Sequence, residues 1–435
     1  MIVLLVVVDS LRADAPGFAG GAKTPFLDRL AADGTRFRRA YASGAWTIPS
    51  LLSMLTGVLG HRLGVCRWRH PFPARRPTLL TAFAAAGFEV ACLHPYPRWG
   101  LLTVAGKGTV GDSQDPDAVI RALSGRRGQD RFVLLHHWWT HLPYLNVRLP
   151  RAKWQAACDF ALTSLNRHPE RIAPTLEASY RKSLSTFSEE ILPRYLDAAA
   201  SGGEDVLLVL TGDHGETWGR SLPPGARVRH VFDLHGRWIS DETVAIPLIV
   251  HGTVANGAVP AGGIVEGFAR GADLAPTLAE LAGVPWPGPV PDRAGPGVID
   301  RDGDGDRDVI GRSLASCVTL GAPSPHEDAP TVSSHNAHVP DCYPADGKRM
   351  WRTMALRTAD AWYVWDGVAG TRAVAPVDGA ATPDAGTVDA IFARLESRRQ
   401  EAVDSAPIVE DARLDALRGE DAEVRKRLRG LNYLD

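Results

Sequence analysis

The sequence predicts an α/β fold: a large, mostly parallel sheet sandwiched by helices, followed by a small C-terminal α+β subdomain. Three observations carry this. Residues 2–8, IVLLVVV, are an unbroken β-branched run, the pattern of a strand buried on both faces of a parallel sheet. Similar runs recur at 88–92 (FEVAC), 132–135 (FVLL), 206–210 (VLLVL) and 244–250 (VAIPLIV) with helical patterns between them, and strands alternating with helices make parallel sheets. The composition then changes over 284–308, VPWPGPVPDRAGPGVIDRDGDGDRD, which reads as a loop or domain junction. The expected division is a catalytic domain over 1–320 and a smaller unit over 321–435.

The helices are placed by their ends. Thr24-Pro25 starts one, as N-cap and first-turn proline, and Gly34 follows its end. Thr47 to Thr56, closed by Gly57, is a second; 77–86, a long pair within roughly 152–199, and 271–282 (GADLAPTLAELA) follow. Beyond the junction, 353–365 (TMALRTADAWYVW) reads as one or two strands of a smaller sheet. Residues 387–400 and 420–430 read as charged amphipathic helices.

Composition narrows the function classes. Of 435 residues, 45% are hydrophobic and 23% charged, which supports a packed core and excludes a wholly disordered chain. Lys+Arg 48 against Asp+Glu 50 leaves a net charge of −2, so a basic nucleic-acid footprint is not expected. The five cysteines, Cys66, Cys92, Cys158, Cys317 and Cys342, are odd in number and scattered without a CxxC. That argues against a disulfide framework or a cysteine zinc site. No apolar stretch reaches the roughly 18 residues of a membrane span. The run Ile2 to Val8 lacks the basic start and cleavage site of a signal peptide. A soluble cytoplasmic protein is the expectation, with oligomeric state left open.

In open α/β sheets, ligands bind beyond the carboxyl ends of the strands. After the first strand comes Asp9-Ser10, after 132–135 come His136-His137-Trp138-Trp139-Thr140-His141, and after 206–210 come Thr211-Gly212-Asp213-His214-Gly215-Glu216. Asp9, Asp213 and His214 could converge at one sheet edge, where carboxylate plus imidazole suits a divalent ion. Taken singly, each reads as a cap or turn residue. Thr47 sits where a helix begins, so its hydroxyl would meet free N–H groups and the positive helix end, a place for phosphate-like anions. On local sequence alone, an ordinary N-cap is the plainer reading.

Taken together, these segments resemble the sulfatase branch of the alkaline phosphatase superfamily over nearly the whole chain. Asp9-Ser10-Leu11-Arg12-Ala13-Asp14 resembles the opening metal motif, Thr24 to Leu30 with Gly34 and Phe37 the next signature, and Trp46 to Gly57 the nucleophile helix. His136 to Tyr144 (HHWWTHLPY) resembles the motif whose last histidine contacts substrate, and Asp213-His214-Gly215-Glu216 the second metal motif. His235-Gly236, then Asp241-Glu242 and Ile246 to Val250, resemble the block that follows; Asp273 to Leu278, Gly311 to Leu314 and Leu431 to Leu434 complete the order. The resemblance implies one divalent metal ion (Zn, Mn, Ca or Mg) held by Asp9, Asp213 and His214, with the nucleophile Thr47 also touching it. It implies that His141 and His235 hold the substrate's anionic oxygens or manage the leaving-group proton. Some relatives bind a second ion through Asp-x3-His and a later His. Here His137, four residues before His141, and then His235 could form an all-histidine counterpart; otherwise His136 and His137 are strand-end residues with ordinary hydrogen bonds.

Two departures from the pattern shape the chemistry. Formylglycine sulfatases need Cys or Ser at the nucleophile position, in a Cys/Ser-x-Pro-x-Arg setting; here the run is Thr47-Ile48-Pro49-Ser50-Leu51. Threonine cannot become that aldehyde, so the resemblance turns toward phosphodiesterase, phosphonate-hydrolase and phosphoalcohol-transferase branches. Ser10 stands where many sulfatases carry a second Asp, which removes one anionic ligand. The expected enzyme is a metal-dependent hydrolase or transferase of a phosphoester, phosphodiester or phosphonate. Its substrate would be a small anionic ester, with a covalent phospho-enzyme at Thr47. The alternatives are a sulfuric ester hydrolase using the threonine directly and a non-catalytic binding protein that kept the fold.

Further features are weighed beside these. Trp46, Trp138, Trp139, Trp218 and Trp238 lie near site motifs. Trp46, Trp138 and Trp139 are read as walls for an aryl, sugar or nucleoside moiety, although tryptophan is also commonly buried. Arg62, Arg67, Arg69, His70, Arg75 and Arg76 follow the nucleophile helix and read as a solvated loop, or as extra anion contacts. Asp300 to Asp308 starts like an EF-hand loop, but position 12 is Gly311 and no EF-hand helix precedes it.

Overall fold

A computed structural model describes residues 1–62, 77–95, 109–124, 128–144, 151–220, 228, 233–288, 311–333, 353–366, 370–377 and 379–404. The run 63–76 with most of the arginine cluster, the acidic loop 300–308, Cys66, Cys342 and the expected helix 420–430 lie outside these residues.

The chain runs as β1 (Ile2–Val8), α1 (Pro25–Ala32), β2 (Thr35–Tyr41), α2 (Thr47–Thr56), α3 (Leu79–Ala85), β3 (Glu89–His94), β4 (Thr109–Asp112), α4 (Pro116–Ser124) and β5 (Arg131–His137). It continues as α5 (Arg151–Arg167), α6 (Pro169–Thr186), α7 (Leu192–Ala200), β6 (Val206–Gly212), α8 (Asp241–Val244), β7 (Ala245–Val254), β8 (Gly257–Ala258), β9 (Gly263–Arg270) and α9 (Leu274–Leu281). The last third carries α10 (Ala315–Leu320), β10 (Asp328–Ser333), β11 (Thr353–Thr358), β12 (Ala361–Asp366), β13 (Thr371–Pro376) and α11 (Ala385–Asp404).

The large sheet has nine strands in the order β4-β3-β5-β1-β6-β7-β2-β9, with β8 paired to β7. Pairings are parallel from β4 through β6 and between β2 and β9; β7 runs antiparallel to both β6 and β2. The mixed, mostly parallel sheet is therefore the one expected. β1 lies between β5 and β6 with all seven residues buried, which accounts for its lack of polar alternation.

The small sheet is antiparallel, in the order β10-β11-β12-β13. The expected 353–365 segment resolves into two strands, β11 and β12, joined through Ala359-Asp360. Phe392, Ile391 and Leu395 of α11 share a small core with Leu356, Tyr363 and Trp365.

Three differences from the sequence reading have identifiable causes. The expected helix pair within 152–199 is three helices, with a π-turn at Phe187–Ile191 between the last two. Pro193 lacks the N–H that a continuous α-helix would use, and the π-turn absorbs the break. β2 (TRFRRAY) was not anticipated, because its arginines hide the apolar positions that face inward. β9 (GIVEGFAR) was passed over as well, since two glycines and a glutamate interrupt it.

Candidate active site

The register of three neighbouring strands assembles the site. Val7 of β1 pairs with His136 of β5 and Thr211 of β6, and Val8 pairs with Gly212. Asp9, His136 and Asp213 thus emerge side by side at the carboxyl edge of the sheet. Each offers one ligand atom, and the three atoms lie within 4.8 Å of one another. His136 Nε2 is 3.2 Å from Asp213 Oδ2 and 3.5 Å from Asp9 Oδ2. His214 Nε2 is 3.5 Å from Asp213 Oδ2 and 3.8 Å from Asp9 Oδ1.

Thr47 arrives from the other side. Trp46, with extended backbone, occupies the N-cap of α2, so Thr47 is the first helical residue and not the cap. Its hydroxyl faces Asp9 Oδ2 at 3.4 Å and His214 Nε2 at 3.3 Å. All ten residues of α2 are buried, and Gly57 closes the helix at φ 68°, a conformation glycine adopts without strain.

Ser10 holds a left-handed φ of 61°. Its N–H donates to Asp213 Oδ1 (3.0 Å), its hydroxyl donates to Asp9 Oδ1 (2.8 Å), and its carbonyl accepts from the Tyr180 hydroxyl (2.8 Å). The residue in place of a second acid therefore orients the acid that remains. Gly215 is required by a close approach: a Cβ there would stand 2.0 Å from the Glu242 carbonyl oxygen.

The electrostatics suit a cation. Among the described residues, Asp9 and Asp213 meet imidazoles and no lysine or arginine. Burial would raise the Asp213 carboxyl, but the charge of His214 and the hydrogen bond from His136 outweigh it and hold it below the usual range. Burial would lower His214, yet Asp213 and Asp9 raise it. Two buried carboxylates, two imidazole nitrogens and a hydroxyl form a mixed N/O donor set. Ligands about 2.1 Å from a shared tetrahedral ion stand about 3.4 Å apart, and the measured donor separations bracket that spacing. The residues present fit a divalent ion.

The histidines divide into two groups. His141 and His235 join the cluster: the His235 ring lies 4.4 Å from the His214 ring and 6.0 Å from the His141 ring. His137 does not. Successive strand residues face opposite sides of a sheet, so His137 turns away from His136. It accepts the Trp139 indole N–H at 3.0 Å and stacks on Trp139 and Phe187. Burial, then His136, pushes its pKa down to about 3. The all-histidine grouping of His137, His141 and His235 is therefore not assembled.

The tryptophans divide likewise. Trp46 is 1% exposed and belongs to the main core, and Trp139 is engaged with His137. Trp138 is the one that meets the cluster, stacked on His141 at 4.8 Å and on Trp154 at 5.8 Å. Trp218 packs beneath Arg12, which lies 4.0 Å over its ring.

Sequence reasoning passed over two residues. His136 was read as an ordinary strand-end residue, although the strand's parity, once its register is known, separates it from His137. Glu216, fully buried, sits 3.4 Å from His235 Nδ1, and burial pushes its carboxyl up to about 7. Burial, then His214 and His141, pushes His235 well below its ordinary value. Among the described residues no helix is long and apolar enough to cross a membrane.

Comparison with known proteins adds likenesses in sequence and fold to this geometry. The sulfatase family profile matches residues 2–107. An arylsulfatase of Clostridium perfringens is 32% identical over 111 residues, 23% of this chain and 22% of that protein. An N-acetylglucosamine-6-O-sulfatase of Bacteroides thetaiotaomicron is 28% identical over 126 residues, 26% of this chain and 22% of that protein. The matched stretch thus spans about a fifth of these curated relatives. Among solved structures, the phosphonate monoester hydrolase of Silicibacter pomeroyi has a TM-score of 0.61 at 19% identity, covering 93% of this chain and 96% of that one. The phosphonate monoester hydrolase of Agrobacterium radiobacter has a TM-score of 0.62 at 18% identity, with the same coverage. A protein in complex with its substrate D-glucosamine-2-N,6-O-disulfate has a TM-score of 0.63 at 17% identity, covering 93% of this chain and 99% of that one. The fold is the one these solved structures share, and residues 2–107 match the sulfatase family profile.

Proposed function

We propose that this chain is a metal-dependent hydrolase or transferase of a phosphoester, phosphodiester or phosphonate, with Thr47 as nucleophile. The observation that carries the reading is the Thr47 hydroxyl, which lies within 3.4 Å of both Asp9 and His214 at the sheet edge. Asp9, Asp213 and His214 would hold the ion, with Thr47 beside them and His136 within reach. The ion would acidify the hydroxyl, which is otherwise a poor nucleophile, and offset charge on the substrate.

Asp9 Oδ2 at 3.4 Å and His214 Nε2 at 3.3 Å are the groups placed to take the Thr47 proton. Thr47 Oγ1 then attacks phosphorus in line, the bond to the leaving oxygen breaks, and a phospho-threonine forms. His141 and His235 are the groups that hold the anionic oxygens or protonate the leaving alcohol. Water or an acceptor alcohol next attacks phosphorus and frees Thr47. The 1–320 and 321–435 division would place all of these groups in the first unit.

Thr47→Ala is expected to lower turnover by at least about 10³-fold, as loss of a covalent nucleophile does, with metal content and fold kept. Mass analysis of acid-quenched wild type should find the phosphoryl group on the peptide carrying residue 47. Full activity in the variant would sink the proposal.

A second reading is a sulfuric ester hydrolase that uses the threonine directly; the sulfatase relatives favour it. Parallel assays of an aryl phosphodiester, a phosphonate monoester and a sulfate ester, with metal supplied, separate the two. Metal binding without turnover of any ester would support a non-catalytic binding protein.

A further inference from the structure

Three imidazoles of the cluster, His214 against Thr47 and then His235 and His141, have their Nδ1 atoms tied to an oxygen. His214 Nδ1 lies 2.9 Å from the Gly215 carbonyl, His141 Nδ1 lies 2.7 Å from the Leu142 carbonyl, and His235 Nδ1 lies 3.4 Å from Glu216 Oε2. A carbonyl only accepts, so His214 and His141 carry a proton on Nδ1. Both are fixed by the carbonyl of the next residue. His235 alone is backed by a carboxylate, and from a different segment.

That carboxylate is rigidly mounted. The Glu216 N–H donates to the Glu242 carbonyl at 2.9 Å, and its own carbonyl accepts from Arg12 Nη1 at 2.7 Å. The next residue, Thr217, donates to the Leu234 carbonyl at 3.0 Å, which ties the segment to the one bearing His235. Gly236 donates to the Ala45 carbonyl at 2.6 Å, two residues before Thr47. The Glu216 carboxylate pairs with His235, and the charges of His141 and His214 also bear on it. Burying a carboxylate is costly, and a scaffold role would be served as well by a neutral amide.

A carbonyl behind an imidazole fixes the tautomer; a carboxylate also stabilises the imidazolium that forms when Nε2 takes a proton. We propose that Glu216 is a positioning residue that commits His235 to the second half of the reaction, where it accepts the proton of the incoming water or alcohol. The inference rests on the phospho-threonine reading above. The acceptor O–H bond breaks and its proton goes to His235 Nε2, while the acceptor oxygen bonds to phosphorus. The bond from phosphorus to Thr47 Oγ1 breaks with its electron pair on that oxygen. The proton taken from Thr47 in the first half returns to its oxygen, and the proton on His235 passes to solvent, balancing the one given to the leaving alcohol. His141, stacked on Trp138 and beside Trp154, is left to the first half.

The test is pre-steady-state kinetics of metal-loaded full-length protein with a 4-nitrophenyl phosphonate monoester, comparing wild type, Glu216→Gln and His235→Ala. The burst of nitrophenol from Glu216→Gln should stay within several-fold of wild type in rate, and both variants should be slow afterwards. Their steady-state rate should fall by about 10²-fold or more, the size of a general-base effect, and phosphonylated Thr47 should accumulate in quenched samples. Metal content equal to wild type confirms an intact site. Equal slowing of burst and steady state in both variants, with no adduct and full metal content, would overturn the role of Glu216. If wild type turns over without ever labelling Thr47, the nucleophile reading itself fails.

Discussion

Two clusters of buried charge stand on either side of the loop that leads into α2, and they are built on opposite principles. At the sheet edge, Asp9 and Asp213 meet imidazoles, the Ser10 and Thr47 hydroxyls and backbone N–H groups. At the seam with the small sheet, Arg270 bonds both the side chain and the backbone of Asp328, and Arg394 reaches its other oxygen at 3.1 Å. Nearby, Asp273 accepts from the Arg270 and Arg312 N–H groups (2.7 and 2.8 Å) and pairs with His326 at 3.0 Å. The acids of the seam are met by arginines; the acids of the edge, among the described residues, are met by no lysine or arginine. Burial alone would not separate the two, because Asp9 and Asp273 are each 1% exposed. The identity of the partner does.

Removing one acid from each cluster tests this contrast. Asp9→Asn should show the larger effect on function: loss of bound metal by elemental analysis and a fall in turnover of about 10³-fold or more. The metal-free protein should lose no thermal stability, since no cation of the chain is left unpaired. A marked drop in its Tm would break the comparison.

Asp328→Asn should do the reverse. It strands Arg270, which is 6% exposed, and an uncompensated buried charge costs roughly 3 kcal/mol. Denaturant unfolding should report that loss, with the metal content intact.

The same seam predicts an acid response. Burial would raise the Asp328 carboxyl, but Arg270 and then Arg394 hold it below its ordinary 3.8. A folded-state value below the unfolded one adds stability that is complete above that value and lost as pH falls through the folded one. Wild type should therefore lose more stability than Asp328→Asn as pH drops below about 4, and parallel curves would exclude the seam as the source.

Ser10→Ala should show the smallest effect. It removes the 2.8 Å bond that orients Asp9, and loss of such a supporting contact costs about tenfold in metal affinity. Unchanged affinity would mean that the left-handed turn alone aims the acid.

Much of the edge cluster was legible in the sequence because it obeys a rule of position. Asp9 and Asp213 directly follow β1 and β6, and Thr47 opens a helix after a glycine-bearing turn. His136 was not, since it and His137 are chemically identical neighbours and only the parity of β5 assigns them to opposite faces. Trp46 was assigned to the substrate wall by its neighbourhood in sequence, whereas its place as N-cap of a wholly buried helix puts the ring in the core. The seam was illegible for another reason. Arg270, Asp328 and Arg394 are far apart in the chain and sit in strands or helices whose periodicity says nothing of their mutual distance.

The loop that carries Thr47 has an unusual dependence on the end of the chain. Ala45 donates to the Val332 carbonyl at 3.0 Å, Val332 donates back to the Ser43 carbonyl at 3.3 Å, and Gly44 bridges Val332 in parallel. A ribosome delivers Thr47 well before its brace from β10. During synthesis the N-terminal part can begin to order as it emerges, but the segment at 43–45 waits for the last third to arrive. The edge cluster is then completed late in translation, and a nascent chain released before β10 would carry Asp9, Thr47, Asp213 and His214 with residues 43–45 unbraced.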